Sequence, residues 1–261
     1  MDGAPARRQE RGIGLYRQHF GHDGQSDTKK NEFKPHLKKC WCIPAKQSAA
    51  FVAAMEDVLT VYARPYDEDY PVVCLDEKPV QFFDEVRKGF RKHGVEYYDN
   101  EYIRNGTACI FLFNEPLAGW RYTDAQERRT AQDWAGQIEW LVDEQYPDAK
   151  KIVLVMDNLN IHTTASLYDT FPPEKARRLA SRLEIHYTPK HGSWLNMAEC
   201  ELSALGRQCL GTRRIPDLQS LRDELNPWCH DRNKKQKGID WQFTTEDARV
   251  KLKRLYPILE F

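Results

Sequence analysis

A chain of 261 residues with 41% hydrophobic side chains can bury one sizeable core with a small appendage, and is too short for two large domains. Its 39 Lys and Arg balance 39 Asp and Glu, which at first argues against a phosphate-binding partner, and no run approaches the roughly 20 apolar residues of a membrane-spanning helix. The N-terminus is polar and lacks the apolar segment of a secretory signal, so a cytoplasmic location with no membrane partner is expected.

Charge is unevenly spread. Residues 1–50 carry ten Lys and Arg against five Asp and Glu, residues 51–203 carry 17 against 26, and residues 204–261 carry 12 against 8. An acidic centre between basic ends suits a protein whose carboxylates gather metal while its flanks hold a phosphate backbone. The seven cysteines are odd in number and never at Cys-x-x-Cys spacing, so they read as reduced thiols. Cys40 and Cys42 alone have too few companions for a metal site.

Taken in chain order, residues 1–43 read as a basic, poorly ordered linker or remnant, and residues 44–261 as one folded domain. Residues 49–62 carry apolar side chains at helical spacing and stop before Pro65 and Pro71. Residues 71–76 form a short apolar run ending on Asp76, as in a buried strand with a carboxylate at its C-terminal end. Three β-branched and aromatic stretches (80–83, 95–103, 107–113) then surround Gly89, Gly94 and the pair Asn105-Gly106, which predicts an antiparallel hairpin turning at Asn105-Gly106. Thr123 is a candidate N-cap for a helix over 124–146, stopped by Pro147. Residues 151–156 predict a second buried strand ending at Asp157, residues 173–183 a helix, and residues 184–187 a third short strand.

Two strands each ending in Asp point to chemistry, because ligands collect at the C-terminal ends of strands in such sheets. A lone Asp there is equally a turn former, so a third acid matters. It lies after a Pro/Gly loop, on a helix for which Asn196 is the expected N-cap and Glu199 the third position. The apolar stripe of that helix is Ala198, Leu202, Leu205 and Cys209, and Glu199 and Glu201 flank it on opposite sides at similar angles. Periodicity does not choose between them.

Three segments taken together, Val72-Val-Cys-Leu-Asp-Glu77, Val153-Leu-Val-Met-Asp-Asn-Leu-Asn-Ile-His162 and Tyr187-Thr-Pro-Lys-His-Gly-Ser-Trp-Leu-Asn-Met-Ala-Glu199, closely resemble the insertion-sequence transposases of the Tc/mariner superfamily, in the bacterial insertion sequence 630 branch. Phe33-Lys-Pro-His-Leu-Lys-Lys-Cys-Trp-Cys-Ile-Pro44 upstream, with Trp241-Gln-Phe-Thr-Thr-Glu-Asp-Ala-Arg249 and Arg254-Leu-Tyr-Pro257 downstream, extend the likeness to roughly residues 30–257.

The resemblance implies an α/β fold, the ribonuclease-H-like mixed sheet flanked by helices, with a DDE triad of Asp76, Asp157 and Glu199. Glu199 is preferred to Glu201 because the family's acid follows the Leu-Asn-x-x segment directly. It also implies two Mg2+ ions, with Mn2+ as substitute, Asp76 bridging them while Asp157 and Glu199 each hold one. The implied activity is cleavage and strand transfer of double-stranded DNA at transposon terminal inverted repeats, by a homodimer on DNA.

Lys190 and His191 are candidate phosphate contacts in the loop before the Glu199 helix, and Trp194 either stacks on a base or fills the core. Glu77, Asn158 and His162 are left outside the core site. Residues 1–30 lack the two-helix pattern of the family's helix-turn-helix modules, which implies a truncated or disrupted front to the chain. Two alternatives stay open: an idle remnant that only binds DNA, and a ribonuclease-H-like nuclease unrelated to transposition.

Overall fold

The computed structural model describes residues 46–258 except Lys88, Tyr98, Asp99 and Thr212. The expected basic segment over 1–43, with Cys40 and Cys42, lies outside the described residues. Everything below concerns the second of the two units into which the chain divides, Pro44–Phe261.

Seven strands and seven α-helices follow one another in the order α1 (Ala49–Tyr62), β1 (Val72–Glu85), β2 (Phe90–Lys92), β3 (Val95–Tyr97), β4 (Tyr102–Glu115), β5 (Trp120–Gln126), α2 (Ala131–Trp140), β6 (Ile152–Met156), α3 (Thr164–Thr170), α4 (Pro173–Ser181), β7 (Leu183–Tyr187), α5 (Met197–Leu205), α6 (Leu218–Lys235) and α7 (Thr245–Lys251) among the described residues. Five strands build one mixed sheet in the order β5-β4-β1-β6-β7. The β4 strand is antiparallel to both β1 and β5, whereas β1, β6 and β7 run parallel. This is the helix-flanked mixed sheet expected from the sequence.

Successive side chains of a strand face opposite sides, so each central strand serves two cores. Val73, Leu75, Phe111, Phe113, Ile152, Leu154 and Met156 pack against Trp134, Ile138, Leu141, Leu167 and Leu179 from α2 to α4 and the turn after α2. Their neighbours Cys74, Ile110, Leu112, Val153 and Val155 are equally buried, on the side where α1, α5 and α6 meet the sheet. Burial on both faces explains why β6 reads in the sequence as an unbroken apolar run. Among the described residues, no helix is long and apolar enough to cross a membrane. Cys74, Cys109, Cys200, Cys209 and Cys229 are all free thiols.

Three local expectations are corrected. The first strand does not end at Asp76: β1 continues to Glu85 along β4, because its far half is only half-buried and polar residues there keep a strand geometry. Nor is Asn105-Gly106 a hairpin turn. The pair lies inside β4, opposite the register shift between Gln81 and Phe83, where two residues face one and Gly106 takes a φ of 104°. The hairpin turn is His93-Gly94, both at positive φ, between the paired residues Lys92 and Val95 of β2 and β3.

Thr123 is likewise no N-cap. It sits within β5 beside Leu112, and the helix starts after Thr130, whose hydroxyl accepts from Asp133 N while the Asp133 carboxylate accepts from Thr130 N. The helix α2 then loosens into a π turn over Leu141–Gln145, and α3 adds a short helix for which the sequence reading makes no assignment. The strand character of β5 is masked because its inward positions are Arg121, Thr123 and Ala125, so burial alternates while hydropathy does not.

Arg121 is buried because Glu201 is buried with it. The guanidinium approaches both carboxylate oxygens at 3.0 and 3.1 Å and donates to the carbonyls of Gly119 and Lys237, while Arg232 of α6 adds a third contact to Glu201 at 2.9 Å. Removing one partner from such a pair strands a charge in a dry interior, so Glu201→Ala is expected to cost about 3–5 kcal/mol. Urea unfolding of the variant against the parent checks this, and a loss below about 1 kcal/mol would contradict it.

Candidate active site

The parallel register of β1 and β6 pairs Cys74 with Val155. Carried two places further, it sets Asp76 beside Asp157, the first residue past the end of β6. Two acids 81 positions apart in the chain thus stand side by side on two adjacent parallel strands. The Asp76 carboxylate is mostly enclosed and accepts from Glu77 N at 2.8 Å.

Glu199 arrives from α5 by way of Asn196. Its side-chain oxygen caps the helix by accepting from Ala198 N at 3.1 Å, while its amide donates to the carbonyl of Leu75 at 2.8 Å. One residue therefore starts the helix and fastens that start to β1 immediately before Asp76. The Tyr62 hydroxyl donates to Leu195 O at 2.7 Å and so fixes the turn leading in. Glu201, two residues on, faces Arg121 and Arg232. Glu201 is committed to a buried ion pair, whereas Glu199 is half-buried and close enough for its charge to act on Asp76.

The carboxylates sense one another. Burial chiefly, followed by the charges of Glu77, Asp157 and Glu199, raises Asp76 from 3.8 to about 7, against the opposing hydrogen bond from Glu77 N.

A second group forms behind Asp157. Glu77, Asp157 and His162 each bring one ligand atom to within 4.8 Å of the others. His162 Nε2 donates to Glu77 Oε1 at 2.6 Å; Nδ1 donates to the Asp157 carbonyl at 3.0 Å and lies 2.7 Å from its Oδ1. Burial by itself would push His162 down, but hydrogen bonds to Asp157 and Glu77 outweigh it and hold the imidazole at about 10. With both ring nitrogens engaged, His162 bridges two carboxylates, Glu77 on one side and Asp157 on the other.

The sequence left Glu77 and His162 outside the site; the missed signal is a His five residues after a strand-terminal Asp, with an acid on the inward face of the neighbouring strand. Arg129, also unforeseen, reaches to 3.9 Å of Glu77 Oε2 from the connection between β5 and α2.

Lys190 and His191 form the exposed tip of a turn closed by Gly192 N donating to Pro189 O at 2.8 Å, with His191 at a φ of 66°. A Cβ on Gly192 would stand 2.5 Å from Pro189 Cγ, so the turn requires glycine there. Trp194 is half-buried with its ring edge-on to Phe243 at 5.7 Å, which makes it a packing residue of the segment before α7. Asn158 is exposed beside Asp157.

The profile of one protein family, described as DDE superfamily endonuclease, matches residues 71–222, more than half of the chain. The chain belongs to the DDE superfamily endonucleases. Among solved structures, this endonuclease chain is similar to the Mos1 strand transfer complex at 14% identity and a TM-score of 0.57, covering 90% of this chain and 68% of that one. It is also similar to a pre-cleavage Mos1 transpososome at 14% identity and a TM-score of 0.54, covering 86% and 68%. The mariner Mos1 paired end complex with Mg matches at 15% identity and a TM-score of 0.52, covering 87% and 69%. At this identity what is shared is the fold. No curated protein matches the sequence.

The donor set of this DDE endonuclease fits a hard divalent cation. Asp76 is crowded by three negative charges, and Asp157 beside it keeps about a third of its side chain open to solvent, so hard carboxylate oxygens face the site. Because folding raises Asp76 above its ordinary 3.8, its protonated form favours the native state; that contribution is complete below about pH 4 and is lost as pH rises through 7. Carbon-detected NMR of the cation-free protein is expected to give Asp76 a midpoint near 7, lowered in Glu199→Gln. A midpoint near 4 in both proteins would refute the crowding.

Proposed function

We propose that this chain is the catalytic domain, residues 44–261, of a cut-and-paste DNA transposase in the bacterial insertion-sequence branch of the Tc/mariner superfamily. The observation that carries the reading is the convergence of Asp76, Asp157 and the Glu199 helix from three separate segments onto one place beside the paired strands β1 and β6. The reading gains support from the Mos1 structures of the same fold, whose complexes are a strand transfer complex, a pre-cleavage transpososome and a paired end complex with Mg.

In this reading Asp76, Asp157 and Glu199 hold two Mg2+ ions, with Mn2+ as substitute. When bound, the pair of cations would neutralise charge on the attacking and leaving oxygens of an in-line phosphodiester exchange. The protein's part is placement. Asp76 is fixed by its strand and Glu199 by a capped helix tied to that strand, while Asp157 joins them from the end of β6.

The partners would be double-stranded DNA, both the element's terminal inverted repeats and the target, engaged by a homodimer. The exposed basic tip at Lys190 and His191, on the loop entering α5, would supply phosphate contacts to that DNA.

Purified protein incubated with Mg2+ or Mn2+ and duplex DNA bearing the element's ends tests the reading. Cleavage is expected with the parent and is expected to fall at least about 10³-fold in Asp76→Asn and Asp157→Asn, since several kcal/mol of charge stabilisation disappears. Undiminished cleavage by Asp157→Asn would remove that residue from the mechanism. Lys190→Ala is expected to weaken DNA binding across sequences and to flatten its dependence on log salt concentration by about 1; an unchanged slope in a salt titration would exclude a phosphate contact.

A further inference from the structure

Asp76 belongs to a strand and Glu199 to a helix, whereas Asp157 stands just past β6, where no regular element fixes its side chain. Groups on irregular backbone hold geometry less well than groups on strands and helices, unless neighbouring side chains fix them. Asp157 has such neighbours. His162 closes the loop back onto it through Nδ1, 3.0 Å from its carbonyl and 2.7 Å from Oδ1, and Glu77 grips the opposite nitrogen at 2.6 Å.

The imidazole has little room to move. Its ring lies 5.9 Å from that of the fully buried Trp134, its backbone N–H donates to Leu159 O at 2.9 Å, and its carbonyl accepts from the Tyr187 hydroxyl at 2.5 Å. His162 and Glu77 are almost completely enclosed, while Asp157 keeps about a third of its side chain open to solvent. The chain of contacts therefore runs from the interior outward: a carboxylate anchored in β1, a ring wedged beside α2, and a carboxylate presented at the surface.

We propose that Glu77, acting through His162, is a positioning residue that sets the orientation of the Asp157 carboxylate and thereby the site's affinity for its divalent cation. The proposal rests on the reading of Asp157 as a ligand. Glu77 and His162 touch neither cation nor DNA in this scheme. A ligand's supporting contacts of this kind typically change metal affinity about 10- to 100-fold.

The test is a Mn2+ titration of the full chain followed by electron paramagnetic resonance of the free ion, with circular dichroism to verify folding. Glu77→Gln keeps the shape and a hydrogen-bond acceptor for Nε2, so it reports on the proposal even if His162→Ala does not fold. Both variants are expected to bind Mn2+ about 10- to 100-fold more weakly than the parent, and to regain DNA cleavage when Mn2+ is raised in proportion. His162→Ala leaves every carboxylate in place, so charge alone would leave binding unchanged or tighter; weaker binding reports lost orientation. His162→Asn, which restores a donor near the position of Nδ1, is expected to recover part of the affinity.

Parental Mn2+ affinity in folded Glu77→Gln and His162→Ala, with binding lost in Asp157→Asn, overturns the proposal and leaves Asp157 as a ligand. Parental affinity in Asp157→Asn overturns that underlying reading instead. A loss in Glu77→Gln as complete as in Asp157→Asn, without recovery at high Mn2+, makes Glu77 a ligand and also overturns the positioning role.

Discussion

Carboxylates gathered on the central strands of an apolar sheet repel one another and lose hydration, and the architecture around β1 is arranged to hold them there regardless. The tension is visible in Asp76, raised to about 7 by burial and by three acidic neighbours. Each neighbour is restrained by a different device. A strand register brings Asp157 alongside, a capping asparagine hooks the Glu199 helix to the Leu75 carbonyl, and a buried imidazole lies between Glu77 and Asp157. If these ties were absent, mutual repulsion would separate the acids.

Glu201 belongs to the same arrangement although it serves none of the chemistry. With Arg121 and Arg232 it fastens α5 to β5 and α6, and thereby fixes the rotation of α5 about its axis. That rotation decides which flank of the helix meets Asp76. The buried ion pair thus acts on the site through geometry, and its value lies in specifying one orientation more than in added stability.

Much of this was legible in the chain. The helix over 49–62, the apolar strand before Asp157, the strand after Arg182 and the Asn196 cap all appear in the structure, because in each the local pattern and the tertiary environment agree. The misreadings share a cause. Asn105-Gly106 has the composition of a turn but serves as a bulge, since the pairing of β1 with β4 outweighs local preference. Trp120 to Gln126 hid its strand because buried Arg121 draws its partner from residue 201, far beyond any local window. Glu77 and His162, 85 positions apart, were invisible as a pair for the same reason: a strand's inward acid and a loop's histidine acquire meaning only when the sheet brings them together.

Asp76 and Glu77 are consecutive residues, and the pleat directs them to opposite faces of one strand. One acid enters the cluster directly, and the other reaches it from behind, through a ring. A slip of β1 by one residue against β6 would still deliver a carboxylate to the cluster, but a glutamate one methylene longer, while its mate turned away from His162. The mistake would be hard to see in composition or net charge and severe in geometry. The long antiparallel run beside β4, extending well beyond the short parallel contact with β6, is what excludes it: eleven paired positions make a one-residue shift far more costly than three would. Strand length that looks superfluous to the site is therefore its proofreading.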